Sequence, residues 1–187
     1  MDVRQAIEQR RAYRALDPAE AGPGLAKELA RCAGLSASCY NNQPWRFVFV
    51  YDPGVLAGLF EALPGGNSWA RRASMLVVVC SRPDLDCVVG ERQYFLFDTG
   101  MAVSAMVLRA TEMGLVAHPI AGYDEKAVKN ALGIPADMTA IALVVVGRHA
   151  SGEVPGLSEK QMRVEAARPE RLPLREYCFL NRWGLGD

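Results

Sequence analysis

A chain of 187 residues that is 50% hydrophobic and 22% charged suits one folded domain able to bury roughly 70% of its unfolded surface, and excludes an intrinsically disordered segment. Lysine plus arginine and aspartate plus glutamate each number 21, so no net field would gather nucleic acid or an anionic membrane surface. Apolar runs such as Met75 to Cys80 are about a third of what a membrane-spanning helix requires.

Val3, Ala6 and Ile7 fall at the spacing of a short amphipathic helix whose end carries Arg10, Arg11 and Arg14. A second helix is expected over Leu25 to Ala33, stopped at Gly34. The loop from Ser36 to Pro44 leads into a strand, Arg46 to Tyr51, in which Phe47, Phe49 and Tyr51 alternate with Val48 and Val50. Both faces are apolar, which predicts cover on both sides and a place in the sheet interior. Asp52 and Pro53 supply the N-cap and first-turn proline of a helix through Leu63, ended by Pro64, Gly65 and Gly66.

Met75 to Cys80 and Ile141 to Val146 read as two buried strands. Between them a long helix is expected from Asp98 as N-cap to a stop at Gly114, apolar on most sides and hence central. Asp124 caps a short helix through Leu132, closed by Gly133 and Pro135. From Ala150 to Pro173, charge, glycine and proline without periodicity predict an extended arm, so that residues 1–187 form one domain with residues 150–187 as its C-terminal extension.

The five cysteines, Cys32, Cys39, Cys80, Cys87 and Cys178, are odd in number and lack a C-x-x-C pair. Neither a disulfide framework nor a zinc site is indicated, and reduced thiols fit a cytoplasmic address. Arg10-Arg11 is not followed by the apolar stretch of an export signal. Two histidines, His118 and His149, are too few for a metal-site argument.

Two segments carry chemistry on their own terms. Arg10-Arg11-Ala12-Tyr13-Arg14 sets three guanidinium groups within five residues, enough to meet a phosphate, although a solvated charged face has the same composition. Ser36 to Trp45 crowds hydroxyls and amides before a strand; it could surround a heterocycle with hydrogen-bonding partners, or be a polar loop with an Asx turn.

Together with Asn41-Asn42-Gln43-Pro44-Trp45, these segments resemble the nitroreductase family of flavoenzymes, whose members carry an Arg-rich motif and then a Ser-x-x-Asn-x-Gln-Pro-Trp loop. The resemblance continues through Gly114-Leu115, His118-Pro119-Ile120-Ala121-Gly122-Tyr123-Asp124 and Arg171-Leu172-Pro173-Leu174, spanning Val3 to Trp183 in the family's order. It implies an α+β fold with a mainly antiparallel central sheet flanked by helices, and a homodimer whose C-terminal arm is exchanged between subunits. It also implies bound FMN, with NADH or NADPH as co-substrate in a ping-pong cycle that passes hydride through flavin N5 to a quinone, nitroaromatic or similar small electron acceptor. An FMN carrier or sensor without turnover is the alternative.

By the same resemblance Arg10, Arg11 and Arg171 bind the ribityl phosphate, with Ala12 beside them, and Arg14 approaches the pyrimidine edge. Ala37, Ser38, Cys39 and Asn41 contact the flavin ring from the other subunit. Pro119, Ile120, Ala121 and Gly122 form the turn that brings a backbone N–H to N5, where glycine permits close approach. Asn67 meets the pyrimidine edge or is an ordinary loop residue; Trp69 neighbours the ring or anchors the next strand. No nucleic-acid, membrane or metal partner is implied, and no side chain need act as an acid or base. The sequence departs from the family at Ala12, Ala37, Cys39 and Ala121, which removes a hydroxyl from the phosphate site. Cys39 could be a redox thiol or a small polarizable residue at a serine position. His118 could line the pocket or only precede a proline turn, and Tyr94, Phe95 or Phe97 could partly cover the site, because Ser81 to Phe97 leaves no room for extra helices.

Overall fold

In a computed structural model, which describes residues 1–152 and 154–184, the chain forms α1 (Val3–Gln9), β1 (Leu16–Asp17), α2 (Pro23–Gly34), β2 (Arg46–Val50), α3 (Pro53–Phe60), β3 (Met75–Ser81), β4 (Val88–Val89), β5 (Arg92–Gln93), α4 (Phe95–Glu112), β6 (Val116–Ile120), α5 (Glu125–Leu132), β7 (Thr139–His149) and α6 (Glu159–Ala166). Short 3-10 turns at Cys39–Asn41, Gly65–Arg72, Pro83–Leu85 and Leu174–Glu176 complete the described elements.

β7 organises the sheet. It pairs antiparallel with β3 along one edge, and with β6 and then β1 along the other, while β2 adds antiparallel outside β3. Side chains alternate across a pleated strand, and the burial follows that alternation. Leu76, Val78, Leu143 and Val145 face a cluster with Leu56 and Leu59 of α3 and Val128 of α5. Met75, Val77, Val144 and Val146 face Leu29 and Ala33 of α2 and Ala102 and Met106 of α4. The mixed helix and antiparallel-sheet architecture expected from the sequence is therefore present, as a sheet between two helical layers.

Local chemistry explains most boundaries. Asp52 accepts from the N–H groups of Gly54 and Val55 to start α3, and Asp124 accepts from Ala127 N–H to start α5, which Gly133 ends in the left-handed region at φ 63°. Gly114, at φ 73°, follows α4 in the same way.

Four expectations need correction. β2 lies at a sheet edge and not in the interior; its doubly apolar pattern reports cover on both faces, since Val48 packs on one cluster and Phe47, Phe49 and Tyr51 on the other. Asp98 does not cap α4, which starts at Phe95; its side chain is buried and accepts from Cys39 N–H at 2.6 Å. His118 and Pro119 belong to a strand, β6, rather than to a turn. The segment after Ala150 contains α6, with a capping box at Ser158, because this stretch folds back on the N-terminal residues of its own chain.

The cysteines also differ from expectation. Cys39 and Cys87 are disulfide-bonded with 6.2 Å between their Cα atoms, whereas Cys32, Cys80 and Cys178 are free thiols. A separation of 48 residues hid this pair from any reading of local spacing.

Candidate functional site

The arginine run leaves α1 in extended form: Arg10 is the C-cap residue of α1 and Ala15 accepts from Ala150 N–H at 2.9 Å. Between these anchors, Arg11 reaches α6 and donates to the carbonyls of Val164 and Glu165, where the helix C-terminus welcomes positive charge. Glu165 Oε1 in turn accepts from Arg14 N–H at 2.5 Å. Arg168, just beyond α6, donates to the carbonyls of Glu8 and Arg10. Two ends of the chain are thereby tied together.

The product is a cavity of about 280 Å³ lined by Arg10, Arg11, Ala12, Arg14, Val164, Arg168, Pro169 and Arg171. Burial, and then the neighbouring charges of Arg168 and Arg171, push the proton affinity of Arg10 down. Among the described residues none of these five arginines forms an ion pair with a carboxylate. Converging guanidinium groups without counter-charges fit a polyanion such as a phosphomonoester.

Arg14 links this corner to a second arrangement. Its guanidinium lies 5.7 Å from the centre of the Trp69 ring, and Trp69 stacks on His118 with ring centres 4.8 Å apart. Trp69 Nε1 donates to Asn67 Oδ1 at 3.3 Å, and Asn67 Nδ2 donates to the Gly122 carbonyl at 2.8 Å. A β-carbon on residue 122 would stand 2.8 Å from that nitrogen, so the backbone comes close here because the residue is glycine. Asn67, Trp69, His118 and Gly122 thus form one connected network beside the arginines, with both rings buried and Asn67 and Gly122 at its outer end.

His118 is buried, with Nδ1 3.0 Å from the Tyr13 carbonyl; burial and then Arg14 lower its pKa, against that hydrogen bond. It therefore stands under Trp69 as a neutral ring. Tyr13 stacks on His149 at 3.6 Å between centres, and His149 Nε2 lies 3.4 Å from Glu165 Oε2.

The remaining expected residues divide between two places. Pro119 and Ile120 end β6, with Ile120 buried and Pro119 exposed, and Ala121 and Gly122 follow as exposed backbone. Ala37, Ser38, Cys39 and Asn41 lie on the loop before β2, next to the first turn of α4. Tyr40, Asn41 and Gln43 all have positive φ there, and Ser38 Oγ holds Gln43 N–H at 2.9 Å. Among the described residues no hydrogen bond, ion pair or ring contact joins this loop to the arginine corner of the same chain. Of the aromatic trio at the start of α4, Phe95 packs into the core, while Phe97 is exposed and meets Tyr94 edge-on.

One contributor escaped the sequence reading: Arg168 joins the corner from three residues before Arg171, a spacing that could have flagged it. His118, for which the sequence left a pocket wall or a turn open, is a buried strand residue stacked on Trp69.

Comparison with known proteins agrees with this architecture. The family model described as "Nitroreductase family" matches residues 57–148. An uncharacterized 15.4 kDa protein of Mycolicibacterium smegmatis is 35% identical over 131 residues, covering 69% of this chain and 82% of that protein. A protein of Thermus thermophilus named NADH dehydrogenase is 26% identical over 177 residues, covering 79% of this chain and 86% of its own length. A crystal structure described as an oxidoreductase containing FMN superposes with a TM-score of 0.84 at 26% identity, covering 100% of this chain and 94% of that one. The chain belongs to the nitroreductase family of oxidoreductases. Among the described residues no helix is long and apolar enough to cross a membrane.

Proposed function

We propose that this chain is an FMN-dependent NAD(P)H oxidoreductase that passes hydride from a nicotinamide to a quinone, nitroaromatic or similar small acceptor, and works in the cytoplasm as a homodimer. The observation that carries the reading is the arginine corner in which no guanidinium forms an ion pair among the described residues, continuous through Arg14 with the Trp69–His118–Asn67–Gly122 network, of which Asn67 and Gly122 reach the surface. A phosphate and a planar heterocycle on one ligand would meet both.

Arg10, Arg168 and Arg171 would hold the phosphate, with the backbone at Ala12 beside them. Arg11 would contribute charge while its guanidinium fixes α6. Arg14 would set positive charge at the pyrimidine edge, where a reduced flavin carries negative charge. Asn67 would orient the ring through the amide that Gly122 fixes, and the backbone of Ala121 and Gly122 would face N5. Bound FMN supplies the two-electron chemistry, accepting hydride from one substrate and releasing it to the next.

Ser38, Cys39 and Asn41, with Ala37, would close the ring from the second subunit, because their loop lies apart from the arginine corner of its own chain. The arm offers a surface for that association: Leu172, Leu174, Tyr177, Leu180 and Trp183 are all more than half exposed, which water penalises unless another chain covers them.

An anaerobic visible spectrum of the protein with FMN, before and after NADPH or NADH, tests the reading. Rapid bleaching of bound flavin is expected, with colour restored by the acceptor. Bound flavin that stays oxidised with both nicotinamides would make the chain an FMN carrier or sensor instead.

A further inference from the structure

Away from the arginine corner, the loop before β2 meets the β4–β5 hairpin in a group of four chemically active side chains. Cys39 and Cys87 are bonded, and a carboxylate oxygen of Asp86 lies within 4.8 Å of both sulfurs. Asp98, only 2% exposed, accepts from Cys39 N–H at 2.6 Å. Asp86 Oδ1 accepts from Cys87 N–H at 2.8 Å and from Asn42 Nδ2 at 3.3 Å. Asp86 Oδ2 is buried and receives no donor from the described residues. Burial and then the Asp86 charge raise the proton affinity of Asp98, as a like charge beside a buried carboxyl does.

We propose that Cys39 and Cys87 form a thiol–disulfide exchange site, opened by a dithiol reductant and closed by a disulfide oxidant, with the Asp86–Asp98 carboxyl pair as its proton store. A disulfide beside a proton donor differs from a passive cross-link, because breaking it requires a departing sulfur to be neutralised. Cys87, partly buried, precedes the exposed hairpin Val88–Gln93, and attack is assigned to this sulfur as part of the proposal. A thiolate of the dithiol attacks Cys87 Sγ, the S–S electron pair leaves on Cys39 Sγ, and that sulfur takes the proton from the carboxyl pair. The second thiolate of the reductant then attacks the mixed disulfide and departs within a cyclic disulfide, and Cys87 takes its proton from solvent. Two electrons have passed from the dithiol to the pair, and the carboxyls recover their proton from water.

Opening the bond removes the covalent tie between the hairpin and a loop with three non-glycine residues at positive φ, Tyr40, Asn41 and Gln43. The hydrogen bonds from Cys39 N–H to Asp98 and from Asn42 Nδ2 to Asp86 would then hold the middle of the loop, with Ser81 Oγ still donating to the Pro44 carbonyl at its end. The electron and proton balance of this exchange involves no flavin.

Thiol counting on the intact protein, incubated with oxidised glutathione, begins the test: after unfolding, three thiols should alkylate, Cys32, Cys80 and Cys178, and all five cysteines after dithiothreitol. The native bond should be reduced by dithiothreitol about tenfold more slowly in Asp86→Asn than in the wild type, with equal rates once both are unfolded. Amide exchange of residues 36–44 and 86–93 should accelerate at least about tenfold on reduction. Should the variant not fold, the wild-type ratio of native to unfolded reduction rates carries the same information and should fall as pH rises. Five free thiols after oxidation, a bond reducible only in unfolded protein, an unchanged rate in the variant, or a pH-independent ratio would each overturn the proposal. None of these readouts uses flavin or turnover, so their failure is distinct from failure of the oxidoreductase reading.

Discussion

The side-chain amide of Asn67 donates to the Gly122 carbonyl at 2.8 Å, and a β-carbon on residue 122 would lie equally close, 2.8 Å, to the same nitrogen. Gly122→Ala must therefore displace Asn67, which also holds Trp69 Nε1. Residue 122 is exposed, so the fold should lose no more than about 1 kcal/mol. FMN affinity should fall by about tenfold, the equivalent of one hydrogen bond or slightly more. Flavin fluorescence quenching measures this, and an unchanged dissociation constant would detach the turn from the ring site.

Charge recognition should be separable from ring recognition. Arg10→Ala or Arg171→Ala should weaken FMN binding by about 10- to 100-fold, as expected for loss of a charge-assisted hydrogen bond. Riboflavin, which has no phosphate, should bind the variants and the wild type alike. Arg11→Ala should behave differently, lowering the melting temperature more than the FMN affinity, because its guanidinium holds the end of α6. Equal losses for FMN and riboflavin in Arg10→Ala would place the phosphate elsewhere.

His118 gives the fold an acid limit. Its pKa lies below the ordinary 6.5 because of burial and then Arg14, so the unfolded chain takes up this proton first as pH falls. The resulting stability is fully present above about pH 6.5 and is lost progressively below it, until the folded form also protonates. His118→Phe should flatten that part of the stability curve, read as denaturation midpoints between about pH 7 and 5. A wild-type slope that survives the substitution would assign the effect to another group.

Tyr177 and Leu180 test the arm. They are 60% and 52% exposed, so Tyr177→Glu with Leu180→Glu costs the isolated subunit little, yet charges would oppose any partner surface. Sedimentation velocity should show a shift from dimer to monomer, with loss of FMN retention. A variant that stays dimeric would remove the arm from the interface.

The fold was legible wherever one element answered to one physical signal. Asp52-Pro53 and Asp124 with Gly133 marked α3 and α5 because caps are local chemistry. The β3 and β7 segments were visible because a strand buried on both faces is apolar throughout. Edge or interior position was not legible for β2, since face cover and edge pairing leave the same pattern. Asp98 misled for a related reason: it has the right chemistry for a cap, but its partner is Cys39, 59 residues away. Arg10, Arg14 and Arg171 were visible as a family pattern. That Arg168 completes their cavity, and that Arg11 serves α6, depends on which carbonyls are within reach, and only the folded chain decides that.

The cavity between Arg10 and Arg171 also fixes an order of events. Half of its wall comes from residues 10–14 and half from residues 164–171, so a growing chain can complete the sheet through β7 and still lack that cavity. On the proposed function, phosphate binding would wait for the closing segment. A protease that clips the protein after α6 would return it to that immature state while leaving the sheet and its two helical layers standing.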